Sequence, residues 1–228
     1  MNITLIKEQL FSSLKSVKSI VLILLLSLIS YAVANNFTQL PLLASGTNTL
    51  SVSDIIFALL SVLGVFFTLQ MFGGNLTREI ETQSIRYVLP YVKRYEIILA
   101  KIIAYQLFWL IILAISLLIL SISRHEFFFP VTDLISMFGF FLYINAIALL
   151  TSVVVKKEKS STFIGIVISI LIVFIGIWSI LSHNIMLKAL SWLLPYRYMT
   201  FNWDIIVLFV LSFILIIASI VIFNKKEL

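Results

Sequence analysis

Six long apolar blocks joined by short polar segments restrict what this chain can fold into more than any other feature. They run approximately over 19–34, 55–73, 98–120, 134–155, 163–181 and 205–223. A helix rises about 1.5 Å per residue, so roughly 20 apolar residues cross a hydrocarbon core of about 30 Å, and fewer suffice where flanking side chains reach the interface. In that solvent only helices and closed barrels satisfy their own backbone polar groups. The expected fold class is therefore all-α integral membrane, with six transmembrane helices in a single domain over 1–228. Of the residues, 61% are hydrophobic and 11% charged, where soluble domains carry roughly 25% charged residues. No soluble core of this size would hide so much apolar side chain. The first block follows Lys7, Lys15 and Lys18 as a signal peptide would, but it lacks a convincing small-residue cleavage site and reads as a retained span.

Basic residues between the spans predict direction, because Lys and Arg are retained on the cytoplasmic side. One side receives Lys7, Lys15, Lys18, Arg78, Arg86, Lys93, Arg94, Lys101, Lys156, Lys157, Lys159, Lys225 and Lys226. The other receives only Arg124, Lys188 and Arg197. Both termini are thus expected in the cytoplasm, in a multi-pass protein of a bacterial plasma membrane. The net charge of +6 belongs to these span ends, where it marks topology and meets lipid headgroups rather than nucleic acid. Spans running inward open on Ser53-Asp54, Thr132-Asp133, and Asn202 ahead of Asp204. These read as helix caps with a carboxylate at the positive end of the dipole, or alternatively as an acidic ring at an outer mouth.

The middles of all six blocks lack Asp, Glu, Lys, Arg and His, and such residues usually mark ion or proton pathways. Lys101 comes nearest, about one turn inside the third block, from where its stem is expected to snorkel back to the surface. The amides Gln70, Gln106 and Asn145 read as interhelical hydrogen bonders or, alternatively, as substrate contacts. None of the seven glycines precedes Lys-Ser or Lys-Thr, so there is no Walker A loop. Cysteine is absent, and His125 and His183 fall in different outer loops outside any metal-spacing motif. No enzyme activity is expected of this chain, and no cofactor. If ATP drives it, a separate subunit binds the ATP and its Mg.

The segment 74–96 carries the densest information. Gly73-Gly74 ends the second block, a short charged helix is expected next, Pro90 to break it, and Lys93-Arg94 to open the helix that re-enters the membrane. Its order of residues is Glu79, Glu81, Gln83-Ser84-Ile85, Val88-Leu89-Pro90, Arg94 and Ile97-Ile98-Leu99-Ala100-Lys101. This resembles the cytoplasmic loop of permease subunits in the six-span, type-2 family of ABC exporters, with Gln83-Ser84 where Gly-Thr is usual. The resemblance implies a coupling helix that docks on an ATPase subunit through Glu79, Glu81, Ser84, Ile85, Arg86, Leu89, Pro90 and Arg94. Without the resemblance, the segment reads as a basic membrane-surface loop.

Two flanking features agree with that family. Ile3, Ile6, Leu10, Leu14 and Val17 recur at helical spacing opposite Lys7, Glu8, Ser12, Lys15 and Lys18, predicting an amphipathic interfacial helix over 1–18. The segment 183–203 is too short to cross and too apolar for a solvated loop, so it is expected at the outer leaflet with Trp192 and Trp203 at headgroup level. The resemblance further implies two ATPase subunits and a second permease copy or paralogue as partners. It places a path along the second and fifth spans, with Phe66, Gln70, Phe163, Phe174 and Trp178 as contacts for a lipophilic or amphipathic cargo, such as a drug or an antimicrobial or toxin peptide. The alternative is a non-transporting sensor or assembly subunit that docks a cytoplasmic partner.

Overall fold

The computed structural model describes residues 3–36, 52–124, 130–181, 185–199 and 204–226. Every regular element among them is helical. Helix α1 (Ile3–Lys15) turns at Ser16 into α2 (Val17–Asn36), and α3 (Val52–Phe72) is followed by the short α4 (Asn75–Glu81). Then come α5 (Arg94–Arg124), α6 (Val131–Val154), α7 (Glu158–Leu181), the short α8 (Ile185–Ser191) and α9 (Ile205–Asn224). Six of these, α2, α3, α5, α6, α7 and α9, are long and apolar enough to cross a membrane. They exceed the apolar blocks at several ends because a helix continues past the hydrocarbon wherever polar residues still favour it. Helix α5 alone covers 31 residues.

Helix α6 is the most buried of the six and packs on α3, α5 and α9. Aromatic rings bind this centre together in a continuous series. Phe72 stacks on Tyr105 at 3.9 Å and meets Phe108 edge-on at 5.5 Å. Phe108 meets Trp109 edge-on, and Trp109 stacks on Phe141 at 4.0 Å. Phe141 then meets Phe140, which meets Tyr196 beyond the helices. Offset stacks and edge contacts are the favoured ring geometries, and in lipid such close packing carries helix association. Hydroxyls within the spans turn back on their own helix: Ser30 donates to the Leu26 carbonyl, Thr68 to Gly64 and Ser212 to Leu208. That removes their cost in an apolar medium.

Several expectations need correction. Helix α4 does not run to Pro90; it stops at Glu81, and Gln83 adopts the left-handed conformation at φ 58, which turns the chain out of the helix. Pro90 lies instead in a turn where the Tyr91 and Val92 N–H groups both donate to the Val88 carbonyl. The expected caps of α6 and α9 are not formed. Pro130 holds the N-cap position of α6, so Thr132 and Asp133 fall inside its first turn. Asp204 caps α9 without a side-chain bond because its backbone is already helical, at φ −62 and ψ −18, whereas a capping side chain needs an extended backbone to reach back. The carboxylates of Asp54 and Asp133 do stand in the first turns of α3 and α6. Asn202, Trp203, His125 and His183 lie outside the described residues.

The apolar stripe of α1 is interrupted as well: Leu10 and Leu14 pack on the core, Ile3 is exposed, and Val17 belongs to α2 beyond the Ser16 turn. At the opposite end of the bundle, Tyr143 donates to the Leu193 carbonyl at 2.7 Å, and the Arg197 guanidinium lies 4.1 Å from the Trp192 ring. Trp192 and Leu193 are exposed there, while Pro195, Tyr196 and Tyr198 are buried.

Candidate functional site: an anchored loop at one end of the bundle

The loop between α3 and α5 is built from two faces with different chemistry. Its inward face is fixed by side chains that reach four neighbouring helices. Lys101, on α5, is fully buried; its ammonium donates to Glu79 Oε1 on α4 at 2.7 Å and to Gln9 Oε1 on α1 at 3.2 Å. The expected snorkelling does not occur, because α1 and α4 close over the lysine and offer it a carboxylate and an amide where water would otherwise be needed. One cation thus ties three elements together.

Further bonds extend the anchorage. The Thr77 N–H donates to Ser152 Oγ at 3.0 Å and the Thr77 hydroxyl to the Ser152 carbonyl at 2.7 Å, joining α4 to the end of α6. Glu81 Oε2 accepts the Glu158 N–H at 2.8 Å, placing a carboxylate at the positive end of α7. Arg94 donates to the carbonyls of Phe223, Asn224 and Lys226 at 2.8–3.3 Å. The guanidinium thus closes over the end of α9 and the residues just past it, adding to the Phe223 carbonyl a second donor besides the Lys226 N–H. The Lys226 ammonium donates to the Val153 carbonyl at 2.8 Å. Burial and the neighbouring Lys156 ammonium hold its pKa below the ordinary lysine range. The first helix, the loop, the α6–α7 junction and the end of α9 therefore share one end of the bundle.

The outward face is left to solvent. Arg86, Pro90 and Lys93 are exposed, and Tyr87 and Tyr91 are the most open of the loop's aromatic residues, at 82% and 88%. Of the residues predicted for docking, Arg86 and Pro90 lie on this face, Ser84 and Glu81 are exposed at its edge, and Leu89 is half-buried. Ile85 is buried in the core, and Glu79 and Arg94 bond to neighbouring helices. Tyr87 and Tyr91 are additions the sequence reading missed. Their signal was a spacing of four continued by Tyr95, masked because tyrosine beside a membrane is also an ordinary belt residue.

The five residues predicted for a path do not converge. Phe66, Phe174 and Trp178 line one apolar groove between α3 and α7 with Ile170, Val173 and Ile177, of about 260 Å³, and the rings of Phe174 and Trp178 stack at 5.6 Å. Gln70 instead lines a polar pocket at the loop end, and Phe163 a separate groove along the start of α7. The reason is depth: Gln70 is one turn along the same face of α3 from Phe66, and Phe163 is about three turns along α7 from Phe174, so both lie nearer the loop end than the apolar groove. Gln106 and Asn145 bond to one another between α5 and α6, Asn145 Nδ2 donating to Gln106 Oε1 at 3.1 Å and Gln106 Nε2 to the Phe138 carbonyl at 2.9 Å. Among the described residues no group of His, Cys, Asp and Glu is placed to hold a metal ion. No family model and no curated protein matches this chain. The functional reading rests on its own residues.

Proposed function

We propose that this chain is the membrane-spanning subunit of an ATP-driven exporter of the six-span, type-2 ABC family. In this reading the loop end faces the cytoplasm of a bacterial cell, where the exposed face around Arg86, Tyr87, Pro90, Tyr91 and Lys93 meets a separate ATPase subunit. Two such subunits and a second permease copy or paralogue complete the transporter, with ATP and Mg on the ATPase. The observation that supports this most is the two-faced loop. A surface whose back is bonded to α5, α6, α7 and α9, and through Lys101 to α1, suits transmitting a push to those helices instead of yielding to it. Its front offers tyrosine and arginine, residue types enriched where partners bind tightly. The α3–α7 groove, apolar and open to the membrane, suits a lipophilic or amphipathic cargo such as a drug or peptide.

The test is purification in mild detergent with identification of the bound partner, followed by ATP hydrolysis with and without candidate cargo. A Walker-type ATPase should co-purify, and Tyr87→Ala with Tyr91→Ala should release it by about tenfold or more without lowering the melting temperature of the permease. Recovery of a kinase or an assembly factor in place of an ATPase would overturn the reading in favour of a sensor or assembly subunit.

A further inference from the structure

At the elbow between α1 and α2 lies a polar pocket of about 150 Å³, closed on its other sides by α3, α4 and α7. The Ser16 turn marks where an amphipathic helix gives way to an apolar one, so the pocket sits at the depth of lipid headgroups. Of the charged side chains lining it, Glu79 is already matched by Lys101 at 2.7 Å. That leaves the cations of Lys18 and Arg78 against the single carboxylate of Glu158. Lys18 and Arg78 have no ion-pair partner within 4 Å among the described residues. The surplus is one positive charge, surrounded by donors from Ser12, Ser16 and Asn75. Such a set suits a singly charged phosphodiester, whose oxygens accept hydrogen bonds and donate none.

The pocket does not end at its polar wall. Glu158 and Thr162 also line an open groove that runs on along α7 past Phe163 and Ile166, and Phe163 is largely exposed. The polar pocket and this groove therefore share Glu158 and Thr162 as a common wall, and the groove adds the Lys159 cation at its head to the apolar Phe163 and Ile166. We propose that this composite site binds a glycerophospholipid, with its phosphodiester between Lys18 and Arg78 and an acyl chain along Phe163 and Ile166. The site is independent of any ATPase partner and draws Gln70, placed by sequence on a cargo path, into the wall of a lipid site.

The test uses the full chain, stripped of lipid in an uncharged maltoside detergent and titrated with dihexanoyl phosphatidylglycerol while binding is followed by native mass spectrometry. Inorganic phosphate and dihexanoyl glycerol serve as separate probes for the two halves of the ligand. Saturable binding of the phospholipid is expected, weakened about tenfold by Arg78→Gln or Lys18→Gln, as loss of one charge-assisted contact predicts. Phe163→Ala should weaken the phospholipid while leaving any binding of inorganic phosphate unchanged. Lys18 is exposed, so Lys18→Gln remains informative if Arg78→Gln folds poorly. Equal affinity of Lys18→Gln and the parent, or equal binding of dihexanoyl glycerol, would overturn the proposal. Inorganic phosphate binding as tightly as the phospholipid would assign the pocket to a soluble anion and overturn the lipid.

Discussion

Lys101 and Glu79 show how much a single residue's position decides here. An ammonium buried without water is costly, and the carboxylate at 2.7 Å offsets that cost only while both partners remain. Replacing Lys101 by Met strands a carboxylate that is 27% exposed, so water recovers part of the loss. We expect Lys101→Met to destabilise the chain by at most about 3 kcal/mol, and Lys101→Met with Glu79→Met to restore much of it. Thermal unfolding of the four members of that cycle in detergent measures the coupling, and additive losses would deny it. Lys226 contributes a pH dependence of its own. Its depressed pKa means that the folded chain holds this proton less tightly than the unfolded chain does. Stability from this group therefore rises as pH climbs from its folded pKa toward the ordinary lysine value. Lys156→Gln should move the Lys226 titration upward, read by NMR of methylated lysines, since one cause of the shift is removed.

The elements are held by close approach as well as by polar bonds. On α7, a Cβ added at Gly165 would stand 2.8 Å from the Leu69 carbonyl oxygen of α3. That oxygen belongs to backbone and has no rotamer to give way. In lipid, where water drives no helix together, such small residues are what allow tight packing. Gly165→Leu should push α7 off α3 and lower stability by about 1–3 kcal/mol, with loss of the groove that holds Phe66 and Trp178. Retained melting temperature in detergent would contradict this. The loop illustrates the complementary case. Helix α4 has only 7 residues, too few to persist alone, and owes its shape to Thr77, Glu79 and Glu81 gripping α6, α5 and α7.

At the scale of the whole molecule, the bundle gathers α1, the loop, the α6–α7 junction and the end of α9 at one end, and α8 with the Pro195–Tyr198 turn at the other. The chain contains no cysteine, so any introduced thiol is a sole reporter of side. Lys93→Cys should react with a membrane-impermeant maleimide only in inverted vesicles, and Trp192→Cys only in intact cells. The reverse pattern would invert the molecule and remove the proposed ATPase from its docking face. The aromatic series from Phe72 to Tyr196 joins these two ends through packed rings.

Helical class and six helices of spanning length were legible in the order of residues, because lipid judges each apolar block by its own length and composition. The same locality made Gly73-Gly74 visible as a break. Other features depended on contacts that no local pattern encodes. Whether Lys101 reaches out to the surface or stays buried depends on α1 and α4 folding over it, from Gln9 and Glu79, 92 and 22 residues away. The bonds from Arg94 to the end of α9, some 130 residues away, are equally invisible in the local order. Gln70 and Phe163 share helix faces with Phe66 and Phe174, and only their depth along α3 and α7 sets them in separate pockets. Length and hydropathy act along the chain, one segment at a time, whereas side-chain partnership is fixed only when segments meet in space.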